Sequence, residues 1–360
     1  MDQKTNDADG RRPTVGVLTG GGDAPGLNAA ICGLGRRLAA AGMRILGFRD
    51  GWRGVIEDDT CVVDPAHLLE LVTRGGTILG SSSASPYRNP ARDVPRVLET
   101  IARHRLHALV TIGGDGTLQS SERLHREHGV RVVAIPKTID NDLSSTDFTF
   151  GFFTAVERAT AVMDQIRTTA DSHGRVMVVE CMGRHAGWIT AYSGLAAGAE
   201  AILVPERKVE LTALYAKLRG LRAKGRRSAI VAVAEGARIH EDGALLSTTD
   251  CDEFGHFLTG GVADLVAKKV QRAVPWEARA VVLGHMQRSG SPIAFDRIFA
   301  LRLGARAARL VLEGHFGRMA ALSQGEVVDV PLSDAVAKPK LLTEHFIDQY
   351  EDFFVPFESP

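Results

Sequence analysis

Two short stretches hold the residue types that could do chemistry, Gly113-Gly114-Asp115-Gly116-Thr117 and Ile135-Pro136-Lys137-Thr138-Ile139-Asp140-Asn141-Asp142. Each follows an apolar run, Ala108 to Ile112 and Val132 to Ile135, that reads as a buried parallel strand. A helical pattern from Leu118 to Arg126 joins them. Strands linked in this way lie parallel and adjacent, so both turns are expected at one carboxyl edge of a sheet, where α/β folds bind ligands. Asp115, Asp140 and Asp142 would then share a cleft. Crowded carboxylates repel unless a cation or proton lies between them, and the glycines beside Asp115 let backbone amides approach an anion. The expectation is magnesium and a polyphosphate. Gly and Asp are common in any strand-to-helix turn, so the second stretch is the more specific of the two.

At these residues the chain resembles the phosphofructokinase family, whose signatures include a GGDG turn and a TIDND segment. The likeness runs from Val15 to about Arg297. Gly20-Gly21-Gly22-Asp23-Ala24-Pro25-Gly26-Leu27-Asn28, Met182-Gly183-Arg184 and Gly284-His285-Met286-Gln287-Arg288 fall in the family's order. Agreement by chance at five separated motifs is negligible.

The resemblance implies a magnesium-dependent 6-phosphofructokinase that passes a phosphoryl group from ATP to the 1-hydroxyl of fructose 6-phosphate. Asp140 is the expected base for the sugar hydroxyl, since a loose transition state demands only late proton removal. Asp115 is the expected magnesium ligand, with Asp142 as an indirect one. Lys137, Thr138 and Arg184 are expected to act on the moving phosphoryl group. Arg175, Arg279, His285 and Arg288 resemble the family's clamp on the sugar 6-phosphate, which suits the planar fork of arginine. Glu235 is expected to accept sugar hydroxyls, with Ile139, Met182, Gly183, Met286 and Gln287 lining the same site and Met182 read more simply as packing. Gly22, Trp52, Ser83, Gly114, Asp115, Gly116 and Thr117 are assigned to the phosphoryl donor, Trp52 as a ring that stacks on adenine from the tip of the turn Asp50 to Gly54. In the family Arg175 and Arg279 enter the cleft from a neighbouring subunit, which implies a homotetramer or a homodimer.

One position departs from the pattern. The family usually carries an arginine where this chain has Ser83, and a charge touching the transferring group can be worth roughly a thousandfold in rate. Arg88 lies further along the same segment. Two other positions bear on the donor. A bulky acid after the Asp of the glycine turn would crowd the α-phosphate of a nucleotide, and Gly116 leaves room for ATP. Lys137 stands where pyrophosphate users commonly have lysine. Gly116 is given more weight, because a steric and like-charge block is harder to evade than an added cation. A paralogue acting on pyrophosphate or on another ketose phosphate, such as sedoheptulose 7-phosphate, and a nucleotide-binding sensor with little turnover are the competing readings. Bacterial relatives bind effectors between subunits, where Arg36, Arg167 and Arg226 could take part. Cys32 stands where an arginine is common in that pocket, so weakened or absent control is expected.

These residues need a scaffold. Thr14 to Thr19, a glycine loop and a helix from Leu27 to about Ala41 form the strand, loop and helix arrangement that offers amides and a positive helix end to phosphate, without a Walker lysine or dinucleotide spacing. Strands over 44–48, 176–181, 201–205, 229–234 and 280–283 alternate with helices over 151–169, 211–222 and 261–270, and His240 to Asp252 reads as a surface loop. Phe152, Phe153, Val156, Val162 and Ile166 are expected broadly on one side of their helix. Alternation of this kind predicts an α/β protein of mostly parallel sheets flanked by helices, in Rossmann-like layers. With the family's return of the chain, residues 1–12 form a flexible tail. Residues 13–150 with about 287–337 form a donor domain, and 151–286 with about 338–360 a sugar-phosphate domain.

Basic and acidic residues balance at 43 each, so bulk charge favours neither nucleic acid nor a membrane surface. Cys32, Cys61, Cys181 and Cys251 lack the spacing of a zinc site or a disulfide framework. The first twelve residues have no signal-peptide core and no apolar run reaches membrane-spanning length, so a cytoplasmic protein is expected.

Overall fold

The computed structural model describes residues 12–246 and 261–355. Most of the expected tail, Cys251 and the later part of the expected loop lie outside the described residues. The chain divides into two compact units, residues 1–153 with 288–339 and residues 154–287 with 340–360.

The first unit is built on a seven-stranded sheet in the order Glu326–Pro331, Arg318–Ser323, Val132–Pro136, Leu106–Gly113, Thr14–Gly20, Arg44–Phe48, Thr60–Val62. The five inner strands are parallel and each edge strand pairs antiparallel with its neighbour. Near-continuous burial along the three central strands explains their unbroken apolar runs, because helices cover both faces. Register brings their carboxyl ends level, with Gly20 opposite Gly113 and Gly113 opposite Pro136.

In the second unit four parallel strands take the order Ala278–Val282, Val176–Cys181, Ala229–Ala234, Ala201–Leu203. A small sheet of Ala244–Leu245, Ile239–Glu241 and Val209–Glu210 lies apart from it. It corrects the expected loop at His240, which is instead a hairpin turning at Asp242-Gly243 with φ of 51° and 79°. An Asp-Gly pair with both residues at positive φ is a favoured two-residue hairpin turn, a signal present in the sequence.

The helix Phe152–His173 also differs from expectation. Its buried stripe is Phe152, Ala155, Val156, Ala159, Met163 and Ala170, and Val162 and Ile166 are only partly covered. Small residues provide the contact face, which a search for bulky apolar residues passes over. No helix among the described residues is long and apolar enough to cross a membrane.

Two helices of the first unit, Leu27–Ala40 and Ala294–Glu313, approach backbone to backbone at two glycines. A Cβ on Gly33 would stand 2.2 Å from the Leu301 carbonyl oxygen, and one on Gly304 2.2 Å from that of Ala30. Backbone cannot yield as a side chain can, so Gly33→Ala and Gly304→Ala should each destabilise by about 1–3 kcal/mol despite alanine's better helix propensity. Urea denaturation of each variant checks this; unchanged midpoints would show that the helices can separate freely.

Candidate active site

Three turns leave the level strand ends of the first unit: the glycine loop Gly20–Gly26, the turn Gly113–Thr117 and the segment from Lys137 to Asp142. Thr117 fits between the first two. A Cβ on Gly20 would lie 2.6 Å from its hydroxyl oxygen and one on Gly113 2.4 Å from its Cβ, so both strands must end in glycine. The Lys137 ammonium is buried and donates to the Gly22 carbonyl, and the Arg288 guanidinium donates to the Asp23 carbonyl at 3.1 Å. Arg288 therefore sits on the glycine loop, a placement the motif order did not reveal.

The third segment is braced from within. Asn141 has φ 54°, a left-handed conformation that asparagine tolerates, and its Oδ1 accepts the Thr149 amide at 3.1 Å. Thr149 Oγ1 donates to the Thr138 carbonyl at 2.7 Å, and Thr138 Oγ1 accepts the Asp140 amide at 3.0 Å. Asp140 is buried, and Oδ1 of both Asp140 and Asp142 is closed off from solvent with no hydrogen-bond partner among the described residues. Burial pushes the Asp142 carboxyl up to about 6, reinforced by the charges of Asp140 and Asp115 and opposed by its own amide and the Thr138 hydroxyl. The charges of both other acids thus reach Asp142.

Asp115, exposed at the start of its helix, accepts from Gln119 at 2.8 Å. Among the described residues no three acidic, cysteine or histidine side chains gather closely enough to hold a metal by themselves. That suits magnesium, which takes one or two carboxylates and fills its octahedron with water and substrate phosphate oxygens. The donor set fits: hard oxygens, two of them buried without partners. Gly116 is exposed, and a Cβ there would meet nothing within 4 Å.

Other assignments are revised. Trp52 is fully buried at the start of the helix Trp52–Glu57, with its Nε1 donating to the Thr117 carbonyl at 3.3 Å. Its ring has no free face for adenine, and it supports the glycine turn from beneath. Ile139 is also fully buried, so it packs in the core and presents no surface to a ligand. Ser83 is exposed, and its neighbour Ser82 accepts the Gly21 amide at 2.9 Å, so this segment is strapped to the glycine loop.

In the second unit Gly183, at φ 150°, and Arg184, at φ 53°, form a tight turn closed by the Ala186 amide on the Gly183 carbonyl at 2.9 Å. Glu235 Oε1 accepts both the Gly183 and Arg184 amides, at 3.1 and 2.9 Å. Gln287, buried, accepts the Met182 amide at 3.3 Å and so braces the turn, whereas His285 and Met286 are exposed. Arg175 and Arg279 both pair with Glu277, at 2.8 and 2.5 Å. Arg175 precedes the strand Val176–Cys181 and Arg184 follows it, so roughly 20 Å of strand keeps them apart. One chain does not bring Arg175 and Arg279 to the Arg184 turn.

Residues 14–311 match the profile described as phosphofructokinase. The pyrophosphate–fructose 6-phosphate 1-phosphotransferase of Streptomyces coelicolor is 45% identical over 94% of this chain and 99% of its own. ATP-dependent 6-phosphofructokinase 3 of the same organism is 44% identical over 92% of this chain and 96% of its own. The crystal structure of Pichia pastoris phosphofructokinase in the T-state superposes with a TM-score of 0.78 at 31% identity, over 91% of this chain and 35% of that one.

The Arg184 turn has no room for a side chain at its first position, since a Cβ on Gly183 would stand 2.3 Å from the Ala186 carbonyl oxygen. Gly183→Ala should displace Arg184 and lower kcat by about a hundredfold, as misplacement by an ångström does. Steady-state kinetics on the folded variant check it, and an unaffected kcat would contradict the placement.

Proposed function

Because the chain belongs to the phosphofructokinase family, we propose that it transfers the γ-phosphoryl group of ATP to O1 of fructose 6-phosphate, giving fructose 1,6-bisphosphate and ADP. The observation that carries this reading is the placing of Asp140 and Asp142, each with a buried and partnerless Oδ1, on the turn next to that of Asp115, beside a glycine loop at level strand ends.

The sugar O1 forms its bond to the γ-phosphorus as the bond from that phosphorus to the β,γ-bridging oxygen breaks. The hydroxyl proton passes to Asp140, whose partnerless Oδ1 is available to take it. Asp115 and Asp142 would hold magnesium, which would offset the negative charge of the donor's phosphates. The glycine loop lends amides to the donor's phosphates, with its own carbonyls occupied by Lys137 and Arg288. Arg184 stabilises charge on the transferring group, and Glu235 fixes the turn that presents it. A second copy of the chain supplies Arg175 and Arg279 to the sugar phosphate.

Open space at Gly116 supports ATP, because the room an acid would fill is left to the nucleotide. Pyrophosphate is the second reading, favoured by the buried ammonium of Lys137 at the glycine loop and by the pyrophosphate-dependent relatives.

Initial rates with ATP and with pyrophosphate at equal magnesium decide the donor, and faster turnover with pyrophosphate would reverse the assignment. Gly116→Asp should impair ATP use selectively; equal loss with both donors would sink the steric argument. Asp140→Asn should lower kcat by about 10²–10⁴ with its fold intact. Asp140→Asn and Arg175→Ala subunits, each nearly inactive alone, should regain activity when co-assembled, and hybrids as dead as their parents would argue against shared sites.

A further inference from the structure

We propose that Glu206 is a positioning residue for Arg184, gripping the far end of the turn whose near end Glu235 holds. This rests on the role of Arg184 given above. A turn with a non-glycine residue at positive φ is strained and persists only where its surroundings impose it. Two carboxylates impose this one. Glu235 takes the Gly183 and Arg184 amides. Glu206 Oε1 accepts the Gly187 amide at 2.8 Å, where the turn passes into the helix Trp188–Ala196.

The same Glu206 oxygen accepts the Leu342 amide at 3.0 Å. Trp188 Nε1, the next residue along, donates to the Lys340 carbonyl at 3.0 Å. The exit of the turn is thereby tied at two points to the segment Lys340–Leu342. Gly187 lies so close to the acid that no side chain fits there: a Cβ would stand 2.7 Å from Glu206 Oε2 and 2.6 Å from Val204 Cγ1. Glu206 Oε2 is buried and makes no hydrogen bond among the described residues, and burial raises the carboxyl pKa. One oxygen accepting two converging amides is a task a neutral carbonyl oxygen can also perform, since it too has two lone pairs.

Glu206→Ala, Glu206→Asp and Glu206→Gln, assayed for fructose 1,6-bisphosphate formation beside thermal melts, test the assignment. Glu206→Ala and Glu206→Asp should lower kcat by about a hundredfold, because Arg184 is displaced. The KM for fructose 6-phosphate should move by less than about threefold, because the lost interaction belongs to the transition state. Glu206→Gln should recover most of the loss, since it keeps an acceptor at the right reach. If Glu206→Ala does not fold, Glu206→Asp carries the same test. Folded Ala or Asp variants with wild-type kcat, or a Gln variant as impaired as Ala, would overturn the proposal. A wild-type protein that forms no product would overturn it together with the reading beneath it, whereas an active wild type with indifferent variants overturns this assignment alone.

Discussion

Like charges held together govern the first unit. Asp140 and Asp142 lie two residues apart on one turn, and Asp115 is close enough across the neighbouring turn to raise the Asp142 pKa. Such an arrangement destabilises the folded chain until a cation or a proton compensates it, so surrounding structure must impose it. The imposition is local and made of hydrogen bonds. Thr149 reaches back to both Thr138 and Asn141, and the Asp296 carboxylate takes the Gly151 amide at 3.0 Å where the segment ends.

Level strand ends are the second requirement. Parallel strands in register place Gly20, Gly113 and Pro136 side by side, about 4.8 Å from one to the next. At that spacing Thr117 can pack only against glycine on both sides, and Trp52 then fills the space behind it. The ring at the Asp50–Gly54 turn is spent on packing behind Thr117, which is why it cannot also meet a base.

The second unit solves a different problem, the presentation of one guanidinium from a strained turn. Glu235 and Gln287 hold its entrance through main-chain amides and Glu206 holds its exit, so side-chain acceptors from separate segments define where Arg184 begins. Arg175 and Arg279 lie at the other end of the same sheet, each paired with Glu277, and serve no site that Arg184 serves within one chain.

Much was legible in the residues themselves. Apolar runs marked the parallel strands because a sheet covered on both faces tolerates little else, and the strands 44–48, 176–181 and 229–234 coincide with those expected. Motif identity carried the acids, the glycine turns and the family. What the sequence could not show was set by neighbours distant along the chain. Whether Trp52 faced solvent depended on Thr117, 65 residues away, and where Arg288 lay depended on Asp23, 265 residues away. The hydrogen bonds of Glu206 were equally hidden, because nothing local distinguishes a glutamate on a loop from one whose oxygen collects two remote amides. Local pattern fixes which groups exist and which strand end they follow; burial and hydrogen-bond partnership are decided only when separate segments compete for the same space.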